Sequence, residues 1–200
     1  MSNLCIIPAR GGSKRIPRKN VKEFLGKPII AYSIQAAIDS NLFDEVMVST
    51  DDNEIAEIAE KYGAKIPFMR SDGNSNDYAT TFDVIEEVVE SYNKKGEYFD
   101  NVCCLYACAP FVTKEALSNS FEKLTSNNYD TVFPIVSFSF PIQRALKKSE
   151  GKISMIQEEH LLTRSQDIEE TYHDAGQYYW CKTEWLIKNK KILTNNTGGI

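Results

Sequence analysis

Residues 7–20, IPARGGSKRIPRKN, crowd five cations (Arg10, Lys14, Arg15, Arg18 and Lys19) around the pair Gly11-Gly12. Residue types of this kind do one thing well, which is to hold a small polyanion. Glycine lets backbone amides approach phosphate oxygens closely, and the cations offset the charge. Ala9, Gly11 and Gly12 are the backbone candidates. Arg10, Lys14 and Lys19 supply the neutralisation that a triphosphate of about four negative charges needs. Neither GxxxxGK[ST] nor GxGxxG is present, so the loop is not one of the two common phosphate motifs. The competing reading is a solvated basic loop.

The charge distribution favours the first reading. Residues 1–27 carry seven Lys or Arg against Glu23 alone, whereas the rest of the chain holds sixteen basic and twenty-seven acidic side chains. Nucleic-acid binding needs a basic face at domain scale, and an acidic body with one cationic segment lacks it. A single nucleotide suits it better.

The elements that must place this loop follow from apolar periodicity. Residues 4–8 (LCIIP) form a buried-strand pattern directly before the loop, and in open α/β sheets ligands bind at the carboxyl ends of strands. Helical spacing in 28–40, a strand at 45–49, and a helix after Asp51-Asp52, with Gly63 as its stop, come next. Residues 65–69 read as a third short strand. A helix opens at Asp77 and runs to Tyr92, followed by a strand at 101–106, a helix at 113–125 and a strand at 131–136. This β-α rhythm with continuously apolar strands predicts an α/β fold, a doubly wound and mostly parallel sheet. Residues 139–173 break the rhythm around a short strand at 152–156 and read as a lid or dimer arm on an otherwise single domain of 1–200. A last strand follows at 177–181, and the aromatic group Tyr178, Tyr179, Trp180 and Trp185 reads as core.

At 200 residues the chain can bury an ordinary core without a disulfide or metal staple. Five cysteines, two of them adjacent at 103–104 and none in CxxC spacing, read as reduced thiols of a cytoplasmic protein. No apolar run reaches the ~20 residues of a membrane span, and no signal peptide is expected.

The loop, FLGKPIIAYSI after it, VSTDD at 48–52, FMRSDGNSNDYATTFDVI at 68–85, the Cys108–Phe111 segment (CAPF) and TRSQDIEETYHDAGQYYW near the end together resemble the CMP-sugar synthetases. FPIQRAL and the last two of these segments are most similar to the pseudaminic acid branch of that family. The resemblance implies a nucleotidyltransferase-type α/β fold with a small dimerisation arm, and a homodimer. It implies transfer of CMP from CTP to a keto sugar acid with magnesium as cofactor; acylneuraminate, legionaminate and deoxyoctulosonate remain open as sugars, as does a non-catalytic CTP-binding protein.

Position by position, the resemblance assigns the triphosphate to Arg10, Ser13, Lys14, Lys19 and Asn20, and cytidine to Arg70, Ala79 and Thr81. The sugar falls to Tyr106, Arg144, Arg164, Gln166, Asp174 and Gln177, an arginine fork being suited to its carboxylate. Plainer readings stand beside these: a surface salt bridge for Arg70, a helix N-cap for Asp77, and a surface position for His160. His173-Asp174 is not read as a catalytic dyad, because adjacent residues on an extended chain point apart.

Two departures from the family pattern stand out. Ala107-Cys108 replaces a proline and a hydroxyl, leaving a weak hydrogen-bonding thiol in a substrate loop. The family's Asp-x-Asp metal pair is not found within these 200 residues, so metal placement is expected to be loosely fixed.

Overall fold

A computed structural model describes residues 1–200, which divide into two compact units: 1–134 with 176–200, and 135–175. The first unit begins with β1 (Asn3–Pro8), a two-residue ladder of β2 (Glu23–Phe24) and β3 (Lys27–Pro28), and α1 (Ile29–Ser40). It continues through β4 (Glu45–Ser49), α2 (Asn53–Lys61), α3 (Thr81–Lys94), β5 (Asn101–Leu105), α4 (Lys114–Ser126) and β6 (Thr131–Phe133). The second unit holds β7 (Ile135–Ser137), β8 (Leu146–Ser149), β9 (Lys152–Met155) and β10 (Tyr172–Asp174). The chain then re-enters the first unit with β11 (Tyr178–Lys182), α5 (Thr183–Asn189) and β12 (Thr197–Gly199).

Six strands make the central sheet in the order β12-β6-β11-β5-β1-β4. β1 runs parallel to β4 and β5, and β12 parallel to β6; β11 alone is reversed, antiparallel to both neighbours. The sheet is therefore mostly parallel. β5 is buried at all five positions and β1 from Asn3 to Ile7, as strands covered on both faces must be. Trp180 on β11 is fully buried, stacked on Phe43 at 4.9 Å. Tyr178 and Tyr179 are buried too, so three of the four aromatics form core; Trp185 is half-buried.

Helix starts follow local chemistry. The Asp52 side chain accepts from the Ile55 amide to cap α2, and the Thr113 hydroxyl accepts from Ala116 to cap α4. The helix expected from Asp77 starts instead at Thr81. Thr80 and Asp83 form a reciprocal capping box that satisfies two first-turn amides, which frees Asp77 from the capping role.

Three further expectations are corrected. Residues 65–69 make no strand: Lys65 forms an isolated parallel bridge with Met47, and Pro67, lacking an N–H, prevents its extension. The strand expected at 131–136 is interrupted at Pro134, giving β6 in the central sheet and β7 paired antiparallel with β10. His160 is half-buried rather than on the surface, and its Nδ1 has no hydrogen-bond partner. The second unit starts four residues before the 139–173 excursion and ends two after it. Within it, β8 and β9 form an antiparallel hairpin. No helix is long and apolar enough to cross a membrane.

Candidate active site

Because β1, β4 and β5 are parallel, the loops that follow them (residues 9–22, 50–52 and 106–112) leave the same edge of the sheet. A cavity of about 830 Å³ opens there, lined among others by Arg10, Ser13, Lys14, Lys19, Asn20, Arg70, Ala79, Thr81 and Tyr106. Nine residues singled out from sequence are thus brought together, drawn from four separate stretches of chain.

The basic loop is pinned from beneath by the turn after β4. The Gly11 amide donates to Asp51 Oδ1 at 2.8 Å, and the Arg18 guanidinium grips both Asp52 oxygens and reaches Glu54. Arg18 sits in the left-handed region at φ 56°. That conformation is costly for a side-chain-bearing residue, and the grip on Asp52 holds it there. Arg18's hydrogen bond is the main reason Asp52 is held below the usual carboxylate range. A Cβ at Gly11 would fall 2.6 Å from Asp52 Oδ2, whereas one at Gly12 would meet nothing within 4 Å. Gly11 therefore permits close packing against Asp52, with its amide committed to Asp51. Gly12 is the glycine that stays open.

Asn20 is also committed. It is buried; its Nδ2 donates to the Arg10 carbonyl at 2.9 Å, and its Oδ1 accepts from Cys108 Sγ at 3.4 Å. Its side chain clamps the loop's backbone to the end of β5. Cys108 lies half-buried in the cavity wall, and burial pushes its thiol above the ordinary range, so it is protonated and can donate at neutral pH.

Arg70 is only 8% exposed, which removes the surface salt-bridge reading. Its Nε donates to Ser49 Oγ at 2.9 Å, and a second guanidinium nitrogen donates to the Ser49 carbonyl. Burial lowers its pKa, the expected direction for a cation among neutral partners. At the other side of the cavity, Thr81 Oγ1 and the Tyr106 hydroxyl lie 3.1 Å apart, joining the start of α3 to the end of β5. Tyr106 is braced edge-on by Tyr179 at 5.6 Å.

Asp77 has its carboxylate on Arg10 (2.8 Å) and Lys14. Lys14 first and Arg10 second hold it below the usual carboxylate range. From sequence Asp77 reads as a helix cap or a ligand residue, and the cap falls at Thr80 instead; Arg15, Ile16, Asn74, Asn76 and Gly176, given no site role from sequence, also line the cavity. Arg15 and Ile16 lie inside the basic run itself. Asn74 and Asn76 become visible only once residues 70–81 are folded against the loop, and Gly176 only once the chain has re-entered the first unit.

Gln177 uses its carbonyl to accept from the Tyr106 amide at 2.9 Å. Arg144, Arg164, Gln166 and Asp174 belong to the second unit, where Arg164 is already paired with Asp167 at 2.8 Å and Arg144 donates to the Thr163 carbonyl at 3.3 Å. His173 is exposed, and its Nδ1 lies 2.9 Å from the Asp174 backbone oxygen rather than its carboxylate.

The acidic groups do not fit a protein-held magnesium ion. No three carboxylate, histidine or cysteine side chains converge anywhere in the chain. The carboxylates nearest the cavity are committed, Asp51 to an amide and Asp52 and Asp77 to cations. What the arrangement can do is bind a polyphosphate through cations and an open glycine, beside a wall of hydroxyls and backbone that begins at α3.

Comparison with known proteins agrees with this chemistry. The profile of a family described as cytidylyltransferase matches residues 4–196. A pseudaminic acid cytidylyltransferase of Campylobacter jejuni is 47% identical over 195 residues, covering 94% of this chain and 84% of that protein. A CMP-N,N'-diacetyllegionaminic acid synthase of Legionella pneumophila is 36% identical over 98% of this chain and 85% of its own length. Among solved structures, a CMP:2-keto-3-deoxy-manno-octonic acid synthetase complexed with CTP shares the fold, with TM-score 0.71 at 16% identity over 100% of this chain and 90% of that one.

Proposed function

The chain belongs to the cytidylyltransferase family, and from that premise we propose that it transfers CMP from CTP to the anomeric hydroxyl of a nine-carbon keto sugar acid, pseudaminic acid, releasing pyrophosphate. The observation that carries the reading is the cavity where Arg10, Lys14, Arg15 and Lys19 meet Arg70, Ala79 and Thr81. A triphosphate and a pyrimidine can be held there side by side.

In this reading Lys14, Lys19 and the open Gly12 receive the β- and γ-phosphates. Arg10 and Lys19 offset the charge that grows on the departing pyrophosphate as the sugar hydroxyl attacks the α-phosphorus. Most of the rate comes from that neutralisation and from alignment of the two reactants. Ala79's backbone and the Thr81 hydroxyl read the pyrimidine edge, with Arg70 behind them as a fixed support. Arg144 is proposed for the sugar's carboxylate. The phosphates of CTP, rather than this chain's carboxylates, are proposed to carry magnesium.

The proposed setting is the cytoplasm, where CTP is available, and the proposed assembly is a homodimer. The second unit supports that assembly by exposing Phe138, Phe140, Ile142, Leu146, Ile153 and Leu162, more apolar surface than so short a segment keeps without a partner. Light scattering of the intact chain tests it, and a monomer at micromolar concentration would end it.

The function is tested by pyrophosphate release from CTP, with and without magnesium, against a panel of keto sugar acids that includes the legionaminate and acylneuraminate compounds. Release with CTP and pseudaminic acid, and not with ATP or GTP, is expected. Silence with every sugar would overturn the catalytic reading. CTP should also raise the melting temperature more than ATP does, through preferential binding to the folded state.

A further inference from the structure

Asp77 is the one carboxylate among the residues lining a cavity that also presents Arg10, Lys14, Arg15, Lys19 and Arg70. Its position is held by a tight turn. The Asn76 side-chain oxygen accepts from the amides of Tyr78 (2.7 Å) and Ala79 (3.0 Å), and its Nδ2 donates to the Gly73 carbonyl at 2.6 Å. From that turn one Asp77 oxygen meets Arg10 Nη2 at 2.8 Å and the other meets Lys14 Nζ, while Arg10 Nη1 donates to the Asn76 carbonyl at 2.8 Å. Arg15 and Lys19 have no carboxylate within ion-pair distance. The acid has therefore taken two of the three cations assigned to phosphate, leaving Lys19 and the neighbouring Arg15 outside any ion pair.

Stability does not explain the arrangement. The side chains of Arg10, Lys14 and Asp77 are all substantially exposed, at 32%, 79% and 39%. Exposed ion pairs contribute little to folding. Nor does an acid help a cavity that receives about four negative charges, since like charges at this range repel. Two carboxylate oxygens do, however, accept from the same donors as two phosphate oxygens.

We infer that Asp77 is a stand-in for phosphate: in the empty site its carboxylate keeps Arg10 and Lys14 drawn together, and an incoming triphosphate must displace it to bind. This rests on the reading that the cavity takes the phosphates of CTP. Asp77 is then a positioning residue with a regulatory effect. It keeps two like charges from splaying apart before substrate arrives, it lowers polyphosphate affinity by competing for the same donors, and it speeds pyrophosphate departure by reclaiming them. Because Ala79 and Thr81 follow on the same segment, displacement of Asp77 also couples phosphate binding to the wall that faces the base.

The test is calorimetric titration of the intact chain with inorganic tripolyphosphate and with pyrophosphate, comparing wild type, Asp77→Asn and Asp77→Glu at several salt concentrations. Asp77→Asn should bind both anions roughly fivefold tighter or better, the scale of competition that an exposed ion pair can exert. Its affinity should also fall more steeply with salt, because in wild type salt weakens the internal pair as well as the ligand contacts. Asp77→Glu keeps the charge and should restore an affinity near wild type. Unchanged or weaker binding by a folded Asp77→Asn protein would overturn the inference, leaving Asp77 as a mere scaffold for the loop. If Asp77→Asn fails to fold, Asp77→Ser is read in its place. The probes carry no base or sugar, so tighter binding to Asp77→Asn alongside equal affinity for CTP and ATP would uphold this inference while removing the cytidine reading. CTP turnover with unaltered anion affinity would do the reverse.

Discussion

Gly11 lies against Asp52 so closely that a Cβ on the glycine would come 2.6 Å from Oδ2 and 2.9 Å from the aspartate's own Cβ. The second distance matters more, because a Cβ cannot swing away as a carboxylate tip can. Gly11→Ala must therefore move the loop or the turn after β4, loosening Asp52 from Arg18. Overpacking of this kind costs about 1–3 kcal/mol. Gly12→Ala has open space and should be near neutral in stability. The expected result is a melting temperature several degrees lower for Gly11→Ala only, checked by calorimetry, with equal values for the two variants refuting the packing account.

The same loop sets a dependence on acid. Asp52 and Asp83 are held below their ordinary range, Asp52 chiefly by Arg18 and Asp83 chiefly by the Thr80 amide. A carboxylate whose folded pKa is depressed adds stability that is fully present above its unfolded value, near 4, and is lost as pH falls through the folded value. Melting temperature should be insensitive to these groups from about pH 5 upward and fall below about pH 4. Asp52→Asn should start lower at neutral pH and show a shallower acid decline. An unchanged acid profile would assign the loss to other carboxylates.

Much of this was legible from residue order. The strand before the basic loop and the mostly parallel sheet follow from apolar periodicity, and Arg10, Lys14 and Lys19 from the density of cations after Pro8; the other six cavity residues follow only from the family resemblance. What escaped was decided by contacts between distant stretches. Asp77 looks like the helix cap in sequence, and only the reciprocal bonds of Thr80 with Asp83 move the start of α3 to Thr81. Asn20 looks like a phosphate ligand until its amide is seen to be occupied by the Arg10 carbonyl. Gly11 and Gly12 are indistinguishable until Asp52 is placed beneath the first. Arg70 could not be told from a surface cation, because its burial depends on Ser49, twenty-one residues away.

Cys108 should report on occupancy of the cavity. Its half-buried thiol is pushed up by burial and engaged with Asn20, so iodoacetamide should modify it more slowly than free cysteine at about pH 7 and faster as pH rises past the ordinary thiol range. Saturating CTP should slow the labelling further by covering the wall on which Cys108 lies. The other four cysteines are buried and supply the internal control. Mass spectrometry showing equal labelling with and without CTP would take Cys108 out of the nucleotide's footprint.

Arg70 combines support with aim. Truncation to Ala would strip Ser49's hydroxyl of its donor inside the protein, at about 1–3 kcal/mol, while the Ser49 carbonyl keeps the Ala9 amide. Lysine keeps the charge but cannot reproduce a planar fork on two acceptors. Both variants should melt lower, and Arg70→Lys should raise the KM for CTP even under conditions where it is fully folded. A wild-type KM in a folded Arg70→Lys protein would reduce Arg70 to a structural residue.

Lys19 offers the cleanest separation of activity from folding. Its side chain is exposed, it lines the cavity, and its ammonium is in no salt bridge with the protein; its backbone carbonyl is engaged by the Lys22 amide. Removing an unpaired surface ammonium leaves no buried group unsatisfied, so Lys19→Ala should melt within about a degree of wild type, as surface substitutions typically do. If the ammonium offsets charge that develops as pyrophosphate departs, its loss falls mainly on kcat, because that charge is greater in the transition state than in bound CTP. The expected outcome is turnover reduced well over tenfold with a smaller change in KM, measured by continuous pyrophosphate release. Arg10→Ala should differ by also freeing Asp77 from one of its two cations, so that its KM for CTP moves as well. A Lys19→Ala enzyme with wild-type kcat would remove the ammonium from the reaction.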